Sequence, residues 1–195
     1  MFLSSHPKDF KQPMSNMIRN VSNPNQKESD RLYRNNGNGT FSDVSKEAGI
    51  LNYTYGLGVL TADLNDDGWV DIYVTSDFQP RDQYYVNQGD GTFKESLQTY
   101  FPHVSYFAMG ADFADLNGDK KLDLFTGEML AEDNQRQKTN MAPMDVRRFS
   151  DMVNNGMHYQ YMRNALQINN GKGYFSDVAH YSGCLLYTSP SPRDS

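Results

Sequence analysis

Two nine-residue stretches place oxygen-bearing side chains at alternate positions. Asp63-Leu64-Asn65-Asp66-Asp67-Gly68-Trp69-Val70-Asp71 and Asp115-Leu116-Asn117-Gly118-Asp119-Lys120-Lys121-Leu122-Asp123 match one another 52 residues apart. Carboxylates and amide carbonyls are hard oxygen donors, and a tight turn presenting them in series suits Ca²⁺. The expected ligands are the side chains of Asp63, Asn65, Asp67 and Asp71 with the backbone carbonyl of Trp69. In the second stretch they are Asp115, Asn117, Asp119 and Asp123 with the carbonyl of Lys121. Metal-free Asx turns are the alternative, because Asp and Asn favour turns in any case. Against it, Asp63, Asp66, Asp67 and Asp71 crowd four carboxylates into nine residues, which repel one another without a cation. An EF-hand requires a Glu at the twelfth position and flanking helices. Here the twelfth residues are Val74 and Thr126, both in strand-like runs.

The second stretch has Lys120 where the first has Gly68. A non-glycine residue at positive φ costs about 1–2 kcal/mol, so the second site is expected to bind more weakly. Affinities in the range of extracellular modules, with Kd about 10⁻⁴–10⁻³ M, are expected. Sites of that strength fill only where calcium is abundant, which places the protein outside the cell, at the cell surface or in a periplasm.

Other chemistry is sparse. The sequence holds no Gly-x-Ser-x-Gly elbow, no His-Glu-x-x-His and no phosphate-cradling glycine loop before a helix. His6, His103, His158 and His180 are scattered, as packing or surface residues would be. The net charge of −6 argues against nucleic acid, which needs a basic face. Arg136, Lys138, Arg147 and Arg148 form the densest basic group and are expected to be solvated surface. No apolar run reaches the length of a membrane span.

The elements that position the two stretches follow from a repeat. Arg34-Asn35-Asn36-Gly37-Asn38-Gly39-Thr40-Phe41 returns as Val86-Asn87-Gln88-Gly89-Asp90-Gly91-Thr92-Phe93, again after 52 residues, and as Ile168-Asn169-Asn170-Gly171-Lys172-Gly173-Tyr174-Phe175. The third copy is 30 residues late, so an insertion is expected within about 131–164. Val146, Phe149 and Met152/Val153 in it have helical spacing. Runs such as Trp69-Val70-Asp71-Ile72-Tyr73-Val74-Thr75 and Leu122-Asp123-Leu124-Phe125-Thr126 predict short strands. The Asn/Gly turns between them predict hairpins. Glycines inside Tyr55-Gly56-Leu57-Gly58-Val59 and Phe107-Ala108-Met109-Gly110-Ala111 predict close backbone approach. Short strands at even spacing are the mark of radial repetition. Tyr84, Tyr85, Tyr159 and Tyr161 are expected to be exposed ligand contacts.

These loops, the Tyr-Gly-Leu-Gly and Phe-Ala-Met-Gly segments before them and the three Asn/Gln-Gly-x-Gly-x-Phe turns resemble the FG-GAP/VCBS-repeat family, across nearly all of residues 1–183. Within it the chain is most similar to bacterial proteins that often carry a C-terminal ASPIC/UnbV segment. The resemblance implies an all-β fold: a partial β-propeller, about three blades of a seven-bladed ring like that of integrin α-subunits, with calcium loops. Met1-Phe2-Leu3 resembles Ile72-Tyr73-Val74, so the chain is expected to begin inside a blade. Residues 184–195 resemble a translated sequencing adapter and are expected to be non-native; with them goes Cys184, the only cysteine.

The resulting expectation is a non-catalytic, calcium-binding module that binds or scaffolds a protein or glycan. The alternative is a calcium-dependent propeller enzyme, a lyase or hydrolase of polysaccharide.

Overall fold

The computed structural model describes residues 1–3, 14–25, 28–78, 80–129 and 146–184. Three antiparallel sheets follow one another along the chain. The first contains β1 (Phe2–Leu3), β2 (Arg31–Asn35) and β3 (Phe41–Asp43). The second is a meander of β4 (Gly56–Ala62), β5 (Asp71–Ser76), β6 (Gln83–Asn87) and β7 (Phe93–Glu95). A short helix, α2 (Leu97–Tyr100), and β8 (Val104–Ser105) lead to the third sheet. That sheet is a second four-stranded meander of β9 (Ala108–Ala114), β10 (Asp123–Glu128), β12 (Ala165–Asn169) and β13 (Phe175–Asp177). Helices α1 (Met14–Ser22), α3 (Val146–Asn154) and α4 (Ala179–Ser182) lie outside the sheets, and β11 (Gln160–Tyr161) pairs in parallel with β8. This is a partial all-β, propeller-like fold. In the first sheet Phe2 pairs with Leu32 as Tyr73 pairs with Tyr84 in the second, so β1 takes the place of β5.

In a meander successive turns alternate between the two ends of the sheet. The β4–β5 and β9–β10 loops and the Asn/Gly turns after β2, β6 and β12 therefore share one end. The β5–β6 connection, residues 77–82, marks the other end. The equivalent connections of the first and third sheets are long, and they carry α1 and α3. Met17 of α1 and Met152 of α3 meet there in one apolar cluster with Tyr53, Tyr106, Phe107 and Met157. The expected helix in the insertion is present, with Met152 buried but Val146 76% exposed. Residues 130–145 of that insertion lie outside the described residues. So do His6, Arg136, Lys138 and the tail beyond Cys184. Arg147 and Arg148 are exposed on α3.

The two central strands of the middle sheet, β5 and β6, are buried on both faces. Tyr73, Tyr84 and Val86 pack toward the third sheet with Leu64, Phe101, Leu124 and Phe175. Ile72, Val74 and Tyr85 pack toward the first with Ala48 and Ile50. The Tyr73 ring stands edge-on to Phe101 and Phe113, with centroids 5.4 and 6.0 Å away. Such pairs add roughly 0.5–1.5 kcal/mol to the burial itself. Here the sequence expectation is corrected: Tyr84 and Tyr85 are 0% and 1% exposed. Adjacent strand residues point to opposite faces, and both faces of β6 are covered. Tyr159 is 45% exposed and Tyr161 half-buried.

The same repeat positions lie open on the outer face of the third sheet. Leu116 is 53% exposed where its counterpart Leu64 is 1%, and Phe125 is 37% exposed where Tyr73 is 1%. Among the described residues no sheet covers that face.

The glycines of the inner strands have a different role from the one expected. An added Cβ at Gly58 meets the Thr75 hydroxyl of its own sheet at 2.9 Å, and at Gly110 it meets open space. The β4–β5 register shifts between Gly56 and Gly58. Glycine there marks an irregularity of the ladder, not an approach to a neighbouring backbone.

Candidate functional site

Each candidate loop is wound by its own amides. In the first, Asp63 accepts hydrogen bonds from the amides of Asp67 (3.2 Å) and Gly68 (2.8 Å). Asn65 Oδ1 also accepts from the Asp67 amide (3.1 Å), and Asp67 Oδ1 accepts from the Trp69 amide (2.8 Å). The second loop repeats the scheme. Asp115 accepts from the amides of Gly118, Asp119 and Lys120, Asn117 from Asp119, and Asp119 from Lys121, all within 3.1 Å. The wrapping demands left-handed backbone at the fourth and sixth positions. These are Asp66 (φ 59°) and Gly68 (87°) in one loop, Gly118 (80°) and Lys120 (70°) in the other. Each loop has one glycine and one strained residue. Asp tolerates this conformation better than Lys does, so the second loop carries the larger strain, as Lys120 implied.

The two loops differ again at Asp119. Its Oδ2 accepts a hydrogen bond from the Lys121 ammonium at 2.9 Å. That bond holds the Asp119 carboxyl below its usual range and raises the Lys121 ammonium. A cation of the chain itself thus sits on an oxygen that the first loop leaves to Asn65 Nδ2, which donates to Asp67 Oδ2 at 2.9 Å.

The ninth positions stand apart from the other candidate ligands. Asp71 and Asp123 are fully buried at the first residues of β5 and β10. Asp71 accepts from the Tyr84 hydroxyl (2.5 Å), the Asn87 amide (2.9 Å) and the Leu64 amide (3.4 Å). Burial raises its carboxyl pKa, against the pull of those bonds. Asp123 accepts from the amides of Leu116 and Asn169, both at 2.9 Å. These two carboxylates tie each loop to the following Asn/Gly turn. The Asn that opens that turn completes the brace. Asn87 Nδ2 donates to the Val70 carbonyl, and Asn169 Nδ2 donates to the carbonyls of Leu122 and, in the neighbouring sheet, Leu64. The Trp69 side chain is 51% exposed and packs on Gly89, where a Cβ would lie 2.8 Å from Nε1.

The structure thus gathers Asp63, Asn65 and Asp67, and likewise Asp115, Asn117 and Asp119, at the exposed turn of their loops. The donors are all oxygen, and this chemistry fits a hard cation. Among the described residues, however, no three His, Cys, Asp or Glu side chains converge into a metal cage. The carboxylates rest on the loop amides instead.

Other repeat-encoded groups are not obvious from motif matching. Arg81 pairs with Glu95 at 2.8 Å, and Arg163 pairs with Asp177 in the third sheet. Both members recur 82 residues apart, the spacing of Gly89 and Gly171, so extending the repeat register finds them. Burial pushes the Asp177 carboxyl up, but bonds from His103, the Ala179 amide and Arg163 outweigh it and leave the pKa well below the usual range. His103 Nε2 lies 2.9 Å from Asp177 and is packed at this pair. His158 faces the Phe101 carbonyl at 3.0 Å, and its pKa falls to about 4, chiefly through burial.

A model of the FG-GAP-like repeat matches residues 20–74 and again 63–126. Each match ends inside the strand that follows a candidate loop, so the sequence repeat straddles two sheets. No curated protein matches the chain. Among the described residues no helix is long and apolar enough to cross a membrane. With two copies of the repeat spanning residues 20–126 and the sheets to match, the chain belongs to the FG-GAP repeat family.

Proposed function

We propose that the chain is a calcium-binding β-propeller module that works outside the cell, at its surface or in a periplasm, where it binds or scaffolds a protein or glycan without catalysing a reaction. The observation that carries this reading is the pair of loops. Two turns 52 residues apart offer the same three oxygen side chains at alternate positions, wound on the same amide scaffold. In the first loop Asp63, Asn65 and Asp67 with the Trp69 carbonyl would hold the ion. In the second, Asp115, Asn117 and Asp119 with the Lys121 carbonyl would do so. Asp71 and Asp123 would contribute an oxygen only in addition to the bonds they already accept. A bound ion neutralises the crowded carboxylates and stiffens the end of the molecule on which the loops lie.

Thermal unfolding of the full chain in calcium, magnesium and EDTA tests the reading. A ligand that binds only the folded state adds about 2.7 kcal/mol at one hundred times Kd. Calcium is expected to raise the midpoint where magnesium does not, and Asp67→Ala with Asp119→Ala is expected to abolish the rise. A melt indifferent to calcium reduces the loops to Asx turns and removes the argument for an extracellular home.

A further inference from the structure

On the end that carries both loops, the first loop, β6, β7 and α2 enclose a cleft of about 510 Å³. Asn65, Asp67, Trp69, Gln88, Lys94 and Tyr100 line it. Its aromatic walls come from different elements. Trp69 belongs to the first loop and is 51% exposed. Tyr100 closes α2, and its ring lies 5.6 Å from that of Tyr174, which is 54% exposed. Both walls depend on glycine. A Cβ at Gly89 would strike the indole at 2.8 Å, and one at Gly173 would strike the Tyr100 ring at 2.9 Å. The Asn/Gly turns of two neighbouring sheets therefore leave room for these rings. Around them stand amides, a carboxylate and the exposed Lys94.

We propose that this cleft is a glycan-binding site, with a sugar ring stacked on Trp69 and its hydroxyls bonded to Gln88, Asn65 and Lys94. Aromatic side chains with a few placed polar groups are what an amphipathic sugar ring requires, since its C–H faces pack on a π-system while its hydroxyls need partners. A protein partner fits less well. A protein hot spot needs a desolvated apolar pocket, whereas Val86, the aliphatic residue of this lining, is 7% exposed at the floor. The site rests on the proposed reading of the loops in one respect. Asn65 and Asp67 belong both to the cleft wall and to the first candidate calcium loop, so calcium there would fix the wall and make glycan binding calcium-dependent.

Trp69 is the only tryptophan, so the intrinsic fluorescence of the full chain reports on the cleft. Cellohexaose, chitohexaose and polygalacturonate would be titrated in calcium and in EDTA, with calorimetry for the Trp69→Ala variant. The expected result is a saturable emission change with a neutral or the acidic probe, which also assigns the charge of the glycan. Tyr100→Ala and Trp69→Ala should weaken binding by about tenfold or more. Gln88→Ala, an exposed-edge change, should weaken it too. Binding lost in Trp69→Ala but equal in calcium and EDTA supports the cleft and refutes its coupling to calcium. Silence with all three probes overturns the proposal. Binding unchanged in both Trp69→Ala and Gln88→Ala also overturns it, moving the glycan elsewhere while leaving the calcium reading to its own melt.

Discussion

Asp82→Asn is expected to leave stability unchanged at about pH 4 and to raise it progressively as pH climbs to neutrality and above. Asp82 is fully buried just before β6 and accepts hydrogen bonds from the Tyr73 hydroxyl (2.7 Å) and the Ser76 amide (2.8 Å). Burial raises its pKa to about 7, against those two bonds and the charge of Arg81. Glu128, also buried, reaches about 7 mainly by burial, with the Asp82 charge adding to the rise. A carboxyl whose pKa is raised by folding contributes stability that is fully present below about pH 4 and lost as pH rises through about 7. One proton of difference is worth about 1.4 kcal/mol per pH unit, or about 4 kcal/mol over that window. The repeat itself supplies the control. Asn164 occupies the equivalent position in the third sheet and accepts the Glu128 amide at 2.8 Å, the bond that Asp82 makes to Ser76. The assay is urea denaturation of wild type and variant at pH 4 to 9 and fixed calcium, followed by circular dichroism. The stability difference should be near zero at pH 4 and grow to as much as about 4 kcal/mol by pH 8. His158, with its pKa lowered to about 4, titrates alike in both proteins and cancels. A difference independent of pH, or a variant less stable at pH 8, refutes the reasoning.

Three further outcomes are expected. Gly49→Ala should cost about 2 kcal/mol or more, because φ is +76° and the new Cβ would lie 2.8 Å from the Phe93 carbonyl oxygen; Gly39→Ala, at φ +81° in open space, should cost only the left-handed penalty of about 1–2 kcal/mol, and paired melts compare them. Asn169→Ala removes bonds to Leu64 and Leu122 and the acceptor for the Gly171 amide, a loss of about 2–3 kcal/mol readable by urea denaturation. Calorimetry on the Asp67→Ala and Asp119→Ala variants should find the remaining second loop weaker for calcium than the remaining first, and Lys120→Gly should narrow the gap by relieving strain.

Much of the architecture was legible because it is written locally and more than once. A turn of Asn and Gly, a run of β-branched and aromatic residues and an alternation of Asp and Asn each encode their own backbone. The 52-residue period aligns them, so the three sheets and the places of both loops follow from spacing. The positive φ of Lys120 followed from its position against Gly68. The late third turn announced the insertion, and helical spacing located α3.

What the sequence could not decide shares one cause. Tyr84 and Tyr85 carry the same side chain on adjacent positions, and nothing in their neighbours reveals that a sheet covers each face of β6. Leu64 and Leu116 occupy one position of the same motif, yet one is sealed and the other open. The glycine of β4 marks a register shift that only strand pairing defines. Asp71 and Asp123 look like their fellow loop residues in the sequence; partners 7 to 46 residues away take up their oxygens. The cleft between Trp69 and Tyr100 arises where the first loop, β6, β7 and α2 come together. By itself the sequence determined the repeat, the strands, the turns and the oxygen-rich loops, because short-range backbone preference and side-chain chemistry dictate these. Only the tertiary structure decided which aromatics are buried, which carboxylates are already engaged and where a cleft opens, because those depend on the sheet that packs alongside.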